Sequence, residues 1–343
     1  MKKILLIIVT LVYAISLASC GDKTNKDNAS NTQAPDTQTA ENTQKTQEPE
    51  QKEDSGPLNP VPGSETIGDV TLTAEFIKLD EPMTVSNASR PCMAMFGDTI
   101  YIGDGDKTVR KYTLSDNTVT LIKEMNIANS NGIAVDGKGQ LYADGGVYAA
   151  KIYDGEGNQI GEAAESGNIS ISQTEDFALT YYPGRDAVMK ISGGAASQWV
   201  ISGLKSGDPA QIQGPFTKLS SIEVVDNHVL AAGEIEKEQK LVVFDTDGNE
   251  VARSSEKLFG SGISAMTETA NGYITASANT IHLTKKDGTD IGKCTSTKSL
   301  FGTDEAVWLK KFVPVSDGSV LALCGSKRAD ETAEALLFKI KGF

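Results

Sequence analysis

The chain has 343 residues, a formal net charge of −14 at pH 7, two histidines and four cysteines. An acidic balance with no basic stripe excludes a nucleic-acid partner, since phosphate binding needs clustered Lys and Arg. Two histidines and the absence of GxSxG, HExxH and P-loop patterns favour a binding protein over an enzyme.

Taken in chain order, the first signal is Lys2 and Lys3 followed by an almost unbroken apolar run from Ile4 to Leu17. That run is shorter than the about 20 apolar residues a membrane-spanning helix needs. Its length and flanks are those of a secretory signal peptide over residues 1–19. It ends in Leu17-Ala18-Ser19-Cys20, which resembles a bacterial lipobox. The resemblance implies cleavage before Cys20, acylation of its thiol, and a partner in membrane lipid. Each buried CH₂ of the acyl chains contributes about 0.8 kcal/mol.

Residues 20–67 follow as a polar, acidic tether. After Cys20 the segment has no aromatic residue, its few apolar residues show no period, and Pro35, Pro49, Pro57, Pro60 and Pro62 are scattered through it. Such a composition cannot bury enough apolar surface to offset its ordering entropy. The tether would span about 40 Å as a coil, from roughly 5–6 Å times the square root of its length.

From residue 68 to 343 the chain reads as short strands separated by turns, without an amphipathic helix. The stretch from Asn131 to Glu162 is the clearest. Gly132–Val135, Gln140–Ala143, Ala150–Tyr153 and Gln159–Glu162 form four strands, two of their turns carrying Asp136-Gly137 and Asp154-Gly155. Asp-Gly between apolar runs is a hairpin signal, because the tight turn needs positive φ. Second strands of the same grammar begin near Ile100, Leu141, Phe177, Val229, Tyr273 and Val320, the roughly 40-residue spacing of propeller blades. Leu258-Phe259-Gly260 and Leu300-Phe301-Gly302 repeat after the fourth and fifth units, where the phenylalanines are expected to wedge between blades. The last unit lacks an outer strand, and Val70–Ile77 is an orphan strand able to supply it. The expectation is an all-β, six-bladed propeller whose last blade is closed by the N-terminal strand; seven blades would require strands within Gly203–Phe216.

The pattern GIAVD-x-x-G-x-L-Y at residues 132–142, followed by Ile152-Tyr153-Asp154, resembles the NHL-repeat and related six-bladed propellers. It covers one blade closely and the others only in architecture. Some propellers of the gluconolactonase and paraoxonase type hold a divalent ion on the axis. Asn131, Glu223 and Asp304 lie near inner-strand starts, but those families' motifs are not recognisable here. The Asp-rich turns at 104–106, 245–249 and 287–290 fit hairpin chemistry without a metal. His228 and His282 are expected as a turn and a strand residue. Cys92, Cys294 and Cys324 are expected as mostly buried free thiols; a Cys92–Cys324 bridge between adjacent blades is the alternative.

What remains is a binding face at one end of the ring, with Arg90, Asn131, Tyr148 and Arg185 as candidate ligand residues among loops that also hold Asn129, Tyr182, Phe259, Phe301 and Arg328. Arginines and aromatics are common interface anchors. The resulting expectation is a lipoprotein anchored to the bacterial cell membrane, its extracytoplasmic propeller binding a protein, peptide or glycan, with no catalytic residue, metal or cofactor. The competing expectation is a metal-dependent lactonase or esterase.

Overall fold

The computed structural model describes residues 60–343, apart from 116–117, 147–148, 166, 182–187, 193–194, 199–214, 259–261, 304–306 and 328–331. The signal peptide, Cys20 and most of the tether lie outside the described residues, as do 203–214 of the long loop. Among the described residues no helix is long and apolar enough to cross a membrane.

The chain folds as a succession of four-stranded antiparallel sheets, each an up-and-down meander. The clearest sequence unit folds as Gly132–Val135, Leu141–Asp144, Lys151–Tyr153 and Gln159–Glu162. Three more sheets follow: 168–198, 218–253 and 265–294. The last sheet runs Val307–Pro314, Val320–Lys327, Ala333–Lys341, and its fourth strand comes from the other end of the chain. That strand is β2 (Val70–Leu79), preceded by β1 (Gly63–Ile67). β2 pairs antiparallel with the C-terminal strand, Thr73 opposite Lys341 and Ile77 opposite Leu337. The far end of β2 pairs parallel with Thr118–Val119, the outer strand of the first sheet (92–126), so these two sheets are continuous.

The first strands of the sheets stand side by side. Each touches the first strands of its two neighbours, and Val307–Pro314 touches Cys92–Phe96, so the inner strands form a closed ring. The fold is a β-propeller. Second strands are the most deeply buried, as in Gly272–Ser277 and Val320–Ser326, while outer strands alternate with solvent. Among the described residues apolar clusters fill the seams between sheets, except the seam between the second and third. One joins Phe301 and Leu300 to Phe338, Leu309 and Ile281, with the Phe301 and Phe338 rings 4.4 Å apart. Phe301 is thus a wedge between the fifth and last sheets, carried on a short helix, Lys298–Phe301. That helix is a single turn, which ends where Gly302 takes φ +58° and lies against the Val61 backbone.

The folded chain also begins earlier than residue 68. Gly63–Ile67 is a strand because Ser64 and Thr66 face outward while Ile67 is buried, and Gly68 at φ +61° makes the hairpin to β2. The three described free cysteines are Cys92, half-buried, and Cys294 and Cys324, both buried.

Candidate functional site

The inner strands run in the same sense around the axis. Their N-terminal ends therefore gather at one mouth of a central channel and their C-terminal ends at the other. The first mouth is a cavity of about 320 Å³, reached by Arg90, Cys92, Asn131, Ile133, Asn168, Ser220, Ser221, Glu223, Lys310 and Lys311. The second, about 450 Å³, is lined by Met95, Val135, Gln173, Thr267 and the 311–316 segment. Met93, Ile133, Glu223 and Lys311 border both cavities.

A polar bridge separates the two mouths. Lys311 Nζ lies 2.5 Å from Glu223 Oε1, although their strands are not neighbours in the ring. Ser170 donates its hydroxyl to the same oxygen at 3.0 Å and accepts the Val224 amide at 2.8 Å. Glu223 thus ties three sheets together across the axis. A second cross-axis tie joins the Gln173 side-chain amide to the Met95 carbonyl. Below the bridge, the Thr267 hydroxyl is fully buried with no hydrogen-bond partner among the described residues.

Two β-bulges shape the first mouth. In 218–225 the pairing register shifts between Leu219 and Ser221, and in 307–314 between Leu309 and Lys311. Strict alternation sends neighbouring side chains to opposite faces. A bulge breaks that rule and re-aims a side chain. Ser220 and Ser221, and likewise Lys310 and Lys311, lie at these bulges and border the mouth. Lys311 has Glu223 as partner. Lys310 has no hydrogen bond or ion pair among the described residues, and burial holds its ammonium below the usual lysine range. Arg90 is exposed at the rim and its guanidinium also has no partner among the described residues.

Of the sequence-derived candidates, Arg90 and Asn131 meet at this mouth. Asn131 is held by Asp144, whose Oδ1 accepts its side-chain amide at 3.2 Å and whose carbonyl accepts its N–H at 2.9 Å. Tyr148 and Arg185 lie outside the described residues, as do Tyr182, Phe259, Asp304 and Arg328. Asn129 is not a ligand residue: it is fully buried, donating to the Ile127 and Thr108 carbonyls and accepting the Gly105 amide at 2.7 Å. Phe301 is likewise interior. Cys92 borders the mouth, but its sulfur packs against Gly103 and Asn129, and burial pushes the thiol up to about 12. The sequence reading missed Lys310, Lys311, Ser170 and Thr267. The adjacent lysines in an otherwise alternating strand were the available signal.

The remaining polar clusters have structural partners. Asp136, Asp154 and Asp245 each accept, on one oxygen, the backbone amides two and four residues ahead. In two of these turns Asn158 and Asn249 add a side-chain amide to the other oxygen. That amide is the first reason Asp154 and Asp245 sit below the ordinary aspartate range. Among the described residues no three His, Cys, Asp or Glu side chains are grouped to hold a metal. His228 pairs with Glu268 at 2.7 Å, and Glu268 also meets Lys286. His282 contacts Asp290, and burial holds its imidazole below the usual value against the pull of that carboxylate.

Neither a protein-family model nor a curated protein sequence matches the chain. Among solved structures, the WD40 β-propeller domain of Doa1 is 10% identical at a TM-score of 0.43, over 77% of this chain and 97% of that one. BamB from Moraxella catarrhalis is 11% identical at a TM-score of 0.38, over 76% and 93%. Likenesses at this level say nothing of a ligand.

Proposed function

We propose that this protein is a surface-tethered binding module: a six-bladed propeller that takes hold of an extracytoplasmic protein or peptide at its first channel mouth. The observation that carries the reading is the mouth itself, a cavity at which two bulged inner strands meet above a Glu223–Lys311 bridge. Bulges cluster where a site needs a side chain re-aimed. Six four-stranded units among the described residues, with inner strands touching in a closed cycle, support the blade count.

The competing reading, a metal-dependent lactonase or esterase, needs axial oxygen ligands free to polarise a carbonyl or activate water. Glu223 is committed to Lys311 and Ser170, and Asn131 to Asp144. Those commitments favour the binding module. The tether reading rests on the Leu-Ala-Ser-Cys sequence ending at Cys20 and the polar segment after it. Accordingly Cys20→Ala should leave the precursor unprocessed or release the protein from membranes; a processed, membrane-bound variant would remove the anchor from the proposal.

The binding reading is tested by blocking the mouth. Asn131→Trp, which fills the cavity from the rim, is expected to abolish capture of the partner from native membranes while the melting temperature stays within a few degrees. Undiminished capture by this variant would place the partner elsewhere on the ring.

A further inference from the structure

We propose that the first mouth is a carboxylate site, which seats an acidic side chain or chain end of a bound peptide between Arg90 and Lys310. This inference rests on the mouth being the binding face, and it names what the mouth recognises.

The chain carries −14 overall, yet the charged side chains at this mouth are Arg90, Lys310, Lys311 and Glu223 among the described residues. Glu223 is matched by Lys311. Two cations are left over, and the surrounding polar groups are serine and asparagine, which add no charge. Lys310 is the stronger indication. A partly buried cation without a counter-ion destabilises the fold, and Lys310 borders this cavity with no hydrogen bond or ion pair among the described residues. Replacing it with an apolar side chain would relieve that cost, so its presence calls for a counter-ion that the described residues do not supply.

An anion meets that requirement. Hydrogen bonds between an ammonium and a carboxylate are roughly twice as strong as neutral ones, and a guanidinium fork matches a carboxylate with two parallel bonds. Ser221 borders the same cavity, and its hydroxyl can donate to a remaining lone pair; that of Ser220 is given to Gln239 Oε1 at 3.3 Å. The cavity, about 320 Å³, suits one side chain or one chain end, not a whole fold. Below it, the Glu223 carboxylate already bound to Lys311 and Ser170 shows the same chemistry satisfied within the chain.

The test uses three capped peptides titrated calorimetrically into the full-length protein: acetyl-Gly-Glu-Gly-amide, acetyl-Gly-Gln-Gly-amide, and acetyl-Gly-Gly-Gly with a free acid end. At least one of the two carboxylate peptides should bind, and which one does separates a side-chain from a chain-end source. The glutamine peptide should bind at least roughly tenfold more weakly, the discrimination a charged hydrogen bond provides. Lys310→Met should lose a similar factor, while Lys310→Arg, which keeps the charge, should retain binding within a few-fold. Equal binding of the glutamine peptide, unchanged binding by Lys310→Met, or no binding by either carboxylate peptide would overturn the carboxylate assignment. The Asn131→Trp capture experiment reports on the mouth as a binding face independently, so the two ideas fail separately.

Discussion

Asn129 and Asn131 stand two positions apart in Asn129-Ser130-Asn131, and the fold gives them opposite work. Asn129 is sealed among the Gly105 amide and the Thr108 and Ile127 carbonyls. Removing it strands several buried groups, each costing about 1–3 kcal/mol. Asn129→Ala should therefore lower stability by about 3 kcal/mol or more in denaturant melts, whereas Asn131→Ala, at the rim, should change it by less than about 1 kcal/mol. Equal losses would mean that the mouth residue is structural too. The turn aspartates give a pH signature. Asp245 is held below its ordinary value by Asn249 and turn amides. A depressed folded value gives stability that is complete above the unfolded value of about 3.9 and is lost as pH falls below it. Melting temperatures taken from pH 5 to pH 2.5 should fall less steeply for Asp245→Asn than for the parent chain; parallel curves would remove the turn from the acid response.

Strands were readable where alternation and Asp-Gly turns coincide. Starts expected near Ile100, Leu141, Val229, Tyr273 and Val320 lie within a residue of the observed second strands, because apolar second strands fill the seams between sheets. The closing strand was readable for the same reason, Leu72, Ala74 and Ile77 being apolar and fully buried. β1 was hidden because Gly63-Ser64-Glu65-Thr66 is indistinguishable from tether, and one apolar residue, Ile67, makes no period. The bulges were harder to read: a register shift is a property of two paired strands, so the adjacent lysines Lys310-Lys311 signal a break in alternation without saying where the partner strand shifts. Hence Arg90 and Asn131 could be chosen from loop position, while Lys310 could not. β1 also provides an element-scale prediction. It packs on the Asp290–Cys294 strand and the short helix, with Ile67 against Gly292 and Gly63 against the Ser299 and Leu300 backbone. Deleting residues 1–67 should cost about 2–4 kcal/mol relative to deleting 1–59, mostly the burial of Ile67 and its surroundings. An identical melting temperature for both truncations would make β1 dispensable.

At the scale of the whole ring, the seams are unequal. Large apolar clusters join the first sheet to the last and to the second, and run on from the third to the fourth, fifth and last. The seam between the second and third sheets carries polar contacts instead, with Asp144 accepting the Gly167 amide and Gly137 against the Gln173 carbonyl. Apolar area is the main source of local stability. Amide hydrogen exchange should therefore reach its highest protection in Val320–Lys327 and Ala333–Lys341 and be weaker in Gly132–Val135 and Asn168–Ile171. Those weaker strands also border the first mouth, so a partner seated there would raise their protection most.

The measurement that bears most directly on the central claim compares the two ends of the channel. A photo-crosslinking amino acid replaces Asn131 at the first mouth or Ser316 at the second, each in the full-length protein in its native membrane. The account predicts an adduct with a discrete extracytoplasmic partner from position 131, its loss when Arg90→Ala and Lys310→Met are added, and none from position 316. An adduct from position 316 alone, or one from 131 that survives loss of both cations, would contradict it.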